Sequence, residues 1–232
     1  MTVAHEEAEV SEYLPGTDIT VQIRNDLNAG LDVTLPAGHY YVSESIFVFG
    51  YSGTIKGAGK GETVIEAAKD FDPLVHPIVP VEFKITQMFA LFWSTGDVTF
   101  KDMTLLITED APALPHVNPW VGYSTIIDNA IAVNSVSQGV ENGITITIKD
   151  VDVIGENSNK PGSHNGKNLI YPLIVTNWFG TGPINAVIKN CEIKNAGEQA
   201  IEYFIAYEGS GEIKDNKIID SNVGIWLGWG LE

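Results

Sequence analysis

Residues 144–155 read ITITIKDVDVIG, and the tripeptide Ile148, Lys149, Asp150 within them recurs along the chain. The same order of apolar residue, lysine and corner residue appears at Ile55, Lys56, Gly57 and at Phe100, Lys101, Asp102. It appears again at Ile188, Lys189, Asn190 and at Ile213, Lys214, Asp215. The lysines are separated by 45, 48, 40 and 25 residues. The last interval suits one coil of a β-solenoid, commonly ~20 to 30 residues, and the longer ones fit two coils or one coil with a loop.

The flanks of each corner alternate. Two residues before the aligned apolar residue stand Val98, Ile146 and Ala186, and five after it stand Leu105, Val153, Ile193 and Ile218. Period-two alternation turns these side chains inward and the lysines outward. Gly, Asp and Asn share the corner because each tolerates a left-handed backbone. A second strand family follows the corners, at 131–133 (IAV), 173–175 (LIV), 201–203 (IEY) and 225–227 (IWL), the last two about a dozen residues past Asn190 and Asp215 and the first two farther on, beyond the loops. Ile201 and Ile225 are 24 apart, which matches the coil interval.

Composition agrees with this reading. Among 232 residues, Ile and Val number 47 against 13 Leu, with 23 Gly and 16 Asn. β-Branched enrichment with abundant turn formers favours many short strands and excludes a helical bundle. The 44% hydrophobic content fills a sizeable core and excludes a disordered chain, and a single Cys excludes a disulfide scaffold. The 30 acidic and 13 basic side chains leave a net charge of -17, so neither nucleic acid nor an anionic membrane is an expected partner. A polyanionic substrate would need a local cationic site or bridging Ca2+. No apolar run reaches the ~18 residues of a membrane span, so no membrane insertion is expected.

Residues 1–15 form an acidic N-terminal extension with Glu6, Glu7, Glu9 and Glu12, lacking the basic start of a secretory signal. Residues 16–230 read as one repeat domain. Thr17 and Asp18 are expected to cap a short helix whose Ile19, Ile23 and Leu27 share one face, ending before Gly30. That helix would cover one open end of the solenoid. At the other end, residues 224–230 (GIWLGWG) still lie within the repeat, so either a continuing chain or a second copy is expected there. Leu231 and Glu232 resemble a vector-derived dipeptide.

Two segments carry a family resemblance. Residues 33–40, VTLPAGHY, are similar to the LPAGTY signature that opens many pectate lyase-like proteins. Residues 53–65, GTIKGAGKGETVI, are similar to the first-coil IKGxGxxxTxI segment of the same superfamily. The later coils match only as degenerate repeats, from about residue 98 to 230. The chain thus resembles the pectate lyase-like (pectin lyase-fold) superfamily. This implies an all-β architecture, a single-stranded right-handed parallel β-helix (β-solenoid) with an N-terminal cap helix. It also implies an extracellular or cell-surface location. The fold is shared by polysaccharide lyases, galacturonan hydrolases, epimerases, phage tailspikes and adhesins, so fold outruns function.

Enzymes of that superfamily use Ca2+ held by carboxylates with a cationic base, typically Arg, or clustered Asp residues as acid and base. The sole Arg, Arg24, falls on the expected cap helix, which disfavours an Arg base and leaves Lys160 and Lys167 for a Lys version. The hydrolase motifs Asn-Thr-Asp, Asp-Asp, Gly-His-Gly and Arg-Ile-Lys are absent, so no catalytic residue is assigned. Asp70 and Asp72, read as a loop before Pro73, are candidates for Ca2+. Asp150 is a corner residue, while Asp152 should point outward and be available. Residues 57–61, GAGKG, lack phosphate-loop spacing and read as a turn. Cys191 aligns with Met103 and Val151 at an inward site and reads as an inert thiol. None of His5, His39, His76, His116 and His164 shows metal-ligand spacing.

The outward residues of the second strand family are the candidate binding row. Glu202 and Trp226 occupy equivalent positions on neighbouring coils, with Ile174 and Ala132 before them. An aromatic face beside a carboxylate suits stacking and hydrogen bonding to sugars. Trp178 and Trp229 lie just beyond these strands, and Trp120 and Tyr123 are placed to wall a groove. Loops 66–82, 108–124 and 155–168 break the coil rhythm, and loops on a rigid scaffold commonly carry binding groups. The expectation is a carbohydrate-directed protein, lyase- or glycosidase-like or binding only, with a polysaccharide or oligosaccharide as partner. The alternative is a structural or adhesive module that forms a homo-oligomer through its apolar face or its open C-terminal end.

Overall fold

The computed structural model describes residues 12–72, 74–75, 84–85, 87–108, 129–135, 143–156, 166–177, 182–205 and 208–229. Within them the protein is all-β apart from one helix, Thr20–Asn28, and its two large sheets are parallel. The first sheet aligns Val33–Thr34, Gly53–Lys56, Val98–Ile107, Ile144–Gly155, Ile184–Lys189 and Gly209–Lys214. Val98–Ile107 and Ile144–Gly155 run through their corners. Beyond the corners they continue the pairing with Gly38–Glu44 and Thr63–Asp72 on one side and Glu192–Lys194 and Lys217–Ile219 on the other. The second sheet runs Ile46–Phe49, Gln87–Ser94, Asn129–Ser135, Leu173–Thr176, Gln199–Ile205, Val223–Trp229. Leu74–Val75 and Lys84–Ile85 form a small antiparallel pair.

The five-fold repeat is present in register. Lys56 pairs with Lys101, Lys101 with Lys149, Lys149 with Lys189 and Lys189 with Lys214. On the same strands Ile55, Phe100, Ile148 and Ile188 are fully buried. Past the corner Leu105, Val153 and Ile193 line up and are buried, with Ile218 partly buried beside them. The second strand family is paired as the spacing predicts, Ile131 to Leu173 to Ile201 to Ile225. Inward residues of both sheets form one continuous core.

Corner chemistry follows the sequence with one exception. Asp102, Asp150, Asn190 and Asp215 have φ of 60°, 56°, 54° and 56°, the left-handed values expected of Asp and Asn at a bend. Gly57 does not adopt a positive φ. Glycine is required there by proximity: a Cβ would stand 2.3 Å from the Asp102 carbonyl oxygen and 2.6 Å from Thr63 Cβ. A further corner row appears at Asn195 and Asp220, with φ of 62° and 51°. Side-chain amides tie successive repeats together: Asn195 Nδ2 donates to the Gly155 carbonyl at 2.6 Å, and Asn216 Nδ2 donates to that of Ile188 at 2.8 Å.

The helix forms where its apolar spacing places it, and Ile19, Ile23 and Leu27 are buried against the first strands. The expected Thr17–Asp18 cap is corrected in detail. Ile19 is the N-cap and contributes no side-chain bond, while Asp18 accepts from the Thr20 backbone N–H at 2.8 Å and from Thr20 Oγ1 at 2.6 Å. Ser43 Oγ also donates to Asp18 Oδ2. Burial alone would raise the Asp18 carboxyl, but the donors from Ser43 and Thr20 outweigh it and hold the group below its ordinary range. Thr17 bonds backward to the Leu14 carbonyl. The helix ends at Gly30, φ 73°, with Leu31 N–H donating to Asp26 O and Gly30 N–H to Leu27 O, a Schellman closure. Arg24 is spent on architecture, bonding Glu44 at 2.9 Å and the Ser45 carbonyl at 3.0 Å.

Candidate functional site on the outer face of the second sheet

Alternation along the second sheet faces one set of side chains outward, and the register sets them in a row: Phe47, Ala90, Ala132, Ile174, Glu202, Trp226. The row is not uniformly open. Ala90 and Ala132 are buried although they lie on the outer side, and Ile174 and Glu202 are half-buried. Trp226 is 38% exposed. The middle of the row is therefore covered and its C-terminal end is accessible.

At that end Glu202 and Trp226 are register partners, about one strand spacing, ~4.8 Å, apart. The Trp226 indole stacks on Phe204, ring centroids 5.7 Å apart and planes 12° from parallel. Phe204 is paired with Gly228, and a Cβ on Gly228 would fall 2.2 Å from Trp226 Cη2 and 2.6 Å from Phe204 Cδ2. The indole thus lies across the glycine, and the absent side chain lets the two rings meet face to face. Phe204 escaped the sequence reading, although its position two residues past Glu202 puts it on the same face.

Burial pushes the Glu202 carboxyl up from its ordinary value. A carboxyl whose folded pKa is raised favours the folded state below the unfolded pKa and loses that contribution as pH rises through the folded pKa. Glu202→Gln is therefore expected to raise the melting temperature at neutral pH. The gap to the wild type should close as both are acidified through the carboxylate range. Melting curves across that range are the check, and a constant or reversed gap would contradict it.

A second aromatic group stands at the other end of the face. Phe47, Phe49, Phe92 and Trp93 touch in sequence, with centroid distances of 4.6 Å for Phe47–Phe49, 5.3 Å for Phe47–Phe92 and 4.8 Å for Phe49–Trp93. Trp93 is 41% exposed and has φ 56°, rare for a bulky residue. Phe92 pairs with Asn134 and Ser94 with Ser135, so Trp93 is the extra residue of a β-bulge. No sequence signal marked it, because the strand ends at Ser94, one residue past the bulge, too soon for the shifted alternation to show.

Trp178, Trp120 and Tyr123 lie outside the described residues, as do most of loops 108–124 and 155–168. The loop placement of Asp70 and Asp72 is corrected: both are exposed residues at the end of the strand Thr63–Asp72, flanking buried Phe71. The strand runs on past buried Ala67 through exposed Lys69 and Asp70 to buried Phe71, and Asp72 pairs with Glu44 across a register shift. Among the described residues no group of three His, Cys, Asp or Glu side chains is placed to hold a metal ion. Asp152 is not available, since it pairs with Lys60 at 2.7 Å and accepts from the Glu192 N–H at 3.2 Å. Asp150 accepts from the Asn190 side-chain amide, which with Lys149 holds its carboxyl below the ordinary range. His39 bonds Glu66 at 2.7 Å and stacks on Tyr41. Cys191 is buried, and desolvation pushes its thiol up to about 11. Residues 57–61 form the expected turn, from which Lys60 reaches the Asn190 carbonyl at 3.0 Å.

No helix of the described residues is long and apolar enough to cross a membrane. Comparison with protein-family models, with curated proteins and with solved structures found no match. The pectate lyase-like resemblance rests on residues 33–40, 53–65 and the degenerate later coils.

Proposed function

We propose that the two parallel sheets close on their shared core as a right-handed parallel β-helix, and that the C-terminal part of the second sheet's outer face binds a polysaccharide or oligosaccharide. The closure is supported by the order in which the chain visits the strands. Ile188, Ile193 and Ile201 recur at Ile213, Ile218 and Ile225, intervals of 25, 25 and 24 residues, each paired with its predecessor.

The observation that carries the binding reading is the parallel stack of Trp226 on Phe204 beside the half-buried Glu202. Sugar rings present an apolar face of C–H groups and a rim of hydroxyls. The indole offers the apolar face a flat surface, and the carboxylate accepts from the hydroxyl rim with a charge-assisted bond. Desolvation strengthens that bond and disfavours the ionised carboxylate in the free protein. The energetic cost is recovered when a hydroxyl donates to it.

The test is titration of neutral and acidic glycans, with and without Ca2+, followed by tryptophan fluorescence and calorimetry, with product assays for unsaturated ends and reducing ends alongside. Saturable binding is expected. It should fall about 5- to 150-fold in Trp226→Ala, taking the roughly 1–3 kcal/mol of aromatic stacking on a nucleobase as the scale, and also fall in Glu202→Gln. Absence of binding by every glycan, or binding untouched by both substitutions, would reject this site.

A further inference from the structure

We propose that the strand Val223–Trp229 is a self-complementary edge through which two copies of the chain join tail to tail as a closed dimer. This strand ends the second sheet, and its outer backbone edge has no partner strand among the described residues. Gly209–Lys214 and Lys217–Ile219 end the first sheet in the same way. Core-register residues surface here: Ile225, aligned with buried Ile201, is 45% exposed, and Leu227, aligned with buried Tyr203, is 57% exposed. Unpaired N–H and C=O groups beside exposed core side chains form a template for strand addition.

Three observations select a second copy as the occupant. First, the sequence 223–229, VGIWLGW, is nearly palindromic about Trp226. Antiparallel self-pairing sets Trp226 opposite Trp226 of the second copy, Ile225 opposite Leu227, Gly224 opposite Gly228 and Val223 opposite Trp229. Large residues meet large and glycine meets glycine, as an isologous contact requires. Second, none of these seven residues is charged in a chain of net charge -17, so this edge allows approach where most of the surface repels. Third, residues 208–229 form the exposed end of both sheets, 22 residues and within the roughly 20–30 per side of a standard interface; their charged side chains, Glu208, Glu212, Lys214, Asp215, Lys217 and Asp220, all lie outside the strand Val223–Trp229. The opposite end of the sheets carries the helix Thr20–Asn28 over its first strands, so addition there is blocked and tail-to-tail pairing closes at two copies.

The dimer does not depend on the carbohydrate reading. Sedimentation of the full chain over a concentration series is expected to show a monomer–dimer equilibrium that shifts toward dimer with added salt, because screening weakens the repulsion between two acidic chains. Leu227→Lys, at a residue already exposed, should keep the monomer's melting profile and weaken association on the order of tenfold or more. Glu202→Gln should leave association unchanged while altering glycan binding. Trp226→Cys sits on the proposed twofold, where facing Cα atoms lie ~4.5–5.5 Å apart, within disulfide range. It should crosslink to itself under mild oxidation, whereas Gly224→Cys should not. A monomer at every concentration and salt, association untouched by Leu227→Lys, or no self-crosslink in Trp226→Cys would overturn the proposal.

Discussion

Replacing Phe100 by alanine is expected to cost about 3–5 kcal/mol, the range for emptying an aromatic site in a packed core. Phe100 is fully buried on the first sheet and meets Phe89 of the second edge to face, centroids 5.4 Å apart and planes at 76°. It is the largest inward residue of its row, standing between Ile55 and Ile148 in register. The contact therefore joins the two sheets across the core. Removing the ring opens a void that backbones held by hydrogen bonds to both neighbouring strands cannot close. Urea denaturation followed by circular dichroism measures the effect, and a marginal domain of ~5–15 kcal/mol would lose a large part of its stability. Phe100→Leu, which keeps most of the volume, should cost much less. A loss under about 1 kcal/mol in the alanine variant would show that the sheets do not rely on this contact.

Gly57→Ala is expected to destabilise by about 2–3 kcal/mol although it adds one methyl group. The new Cβ would stand 2.3 Å from a backbone oxygen of the neighbouring strand and 2.6 Å from Thr63 Cβ. Neither can yield cheaply. The oxygen belongs to Asp102 at a corner, and Thr63 is buried with its hydroxyl bonded to the Pro36 carbonyl at 2.9 Å and to Ala58 N–H at 2.8 Å. Gly61 is the internal control. Its φ is 74° and a methyl group there would meet nothing within 4 Å, so Gly61→Ala incurs only conformational strain, roughly 1 kcal/mol. Thermal melts of both variants decide the matter. Equal losses would mean that close approach is not the reason for glycine at position 57.

Much of the fold was legible because two independent signals coincide in it. Period-two alternation fixes which way each side chain faces, and Asp or Asn at the bend fixes where the strand turns. Their joint recurrence at Lys101, Lys149, Lys189 and Lys214 leaves one register. Gly57 was read as a left-handed corner because glycine serves both positive φ and close approach, and sequence does not separate the two. Asp70 and Asp72 were read as a loop because Pro73 follows them, whereas the strand reaches Asp72 across a register shift at which Lys69 and Asp70 are both exposed, an irregularity that alternation does not show. At the candidate site, the pairing of Glu202 with Trp226 follows from coil length alone. The tilt of the indole over Gly228 onto Phe204, the burial of Ala90 and Ala132 and the bulge at Trp93 depend on three-dimensional neighbours that a repeat alignment does not contain.

The stacked lysines bear on how the chain avoids misfolding. Repetitive parallel strands invite slippage, since neighbouring strands offer nearly equivalent hydrogen-bonding partners. A shift of one residue at any step from Lys56 to Lys214 would turn a lysine toward the core and an isoleucine or phenylalanine toward water. An unpaired ammonium in that interior costs several kcal/mol. The row of like charges, unfavourable in itself, thus acts as a proofreading device that penalises each wrong register as the strands assemble.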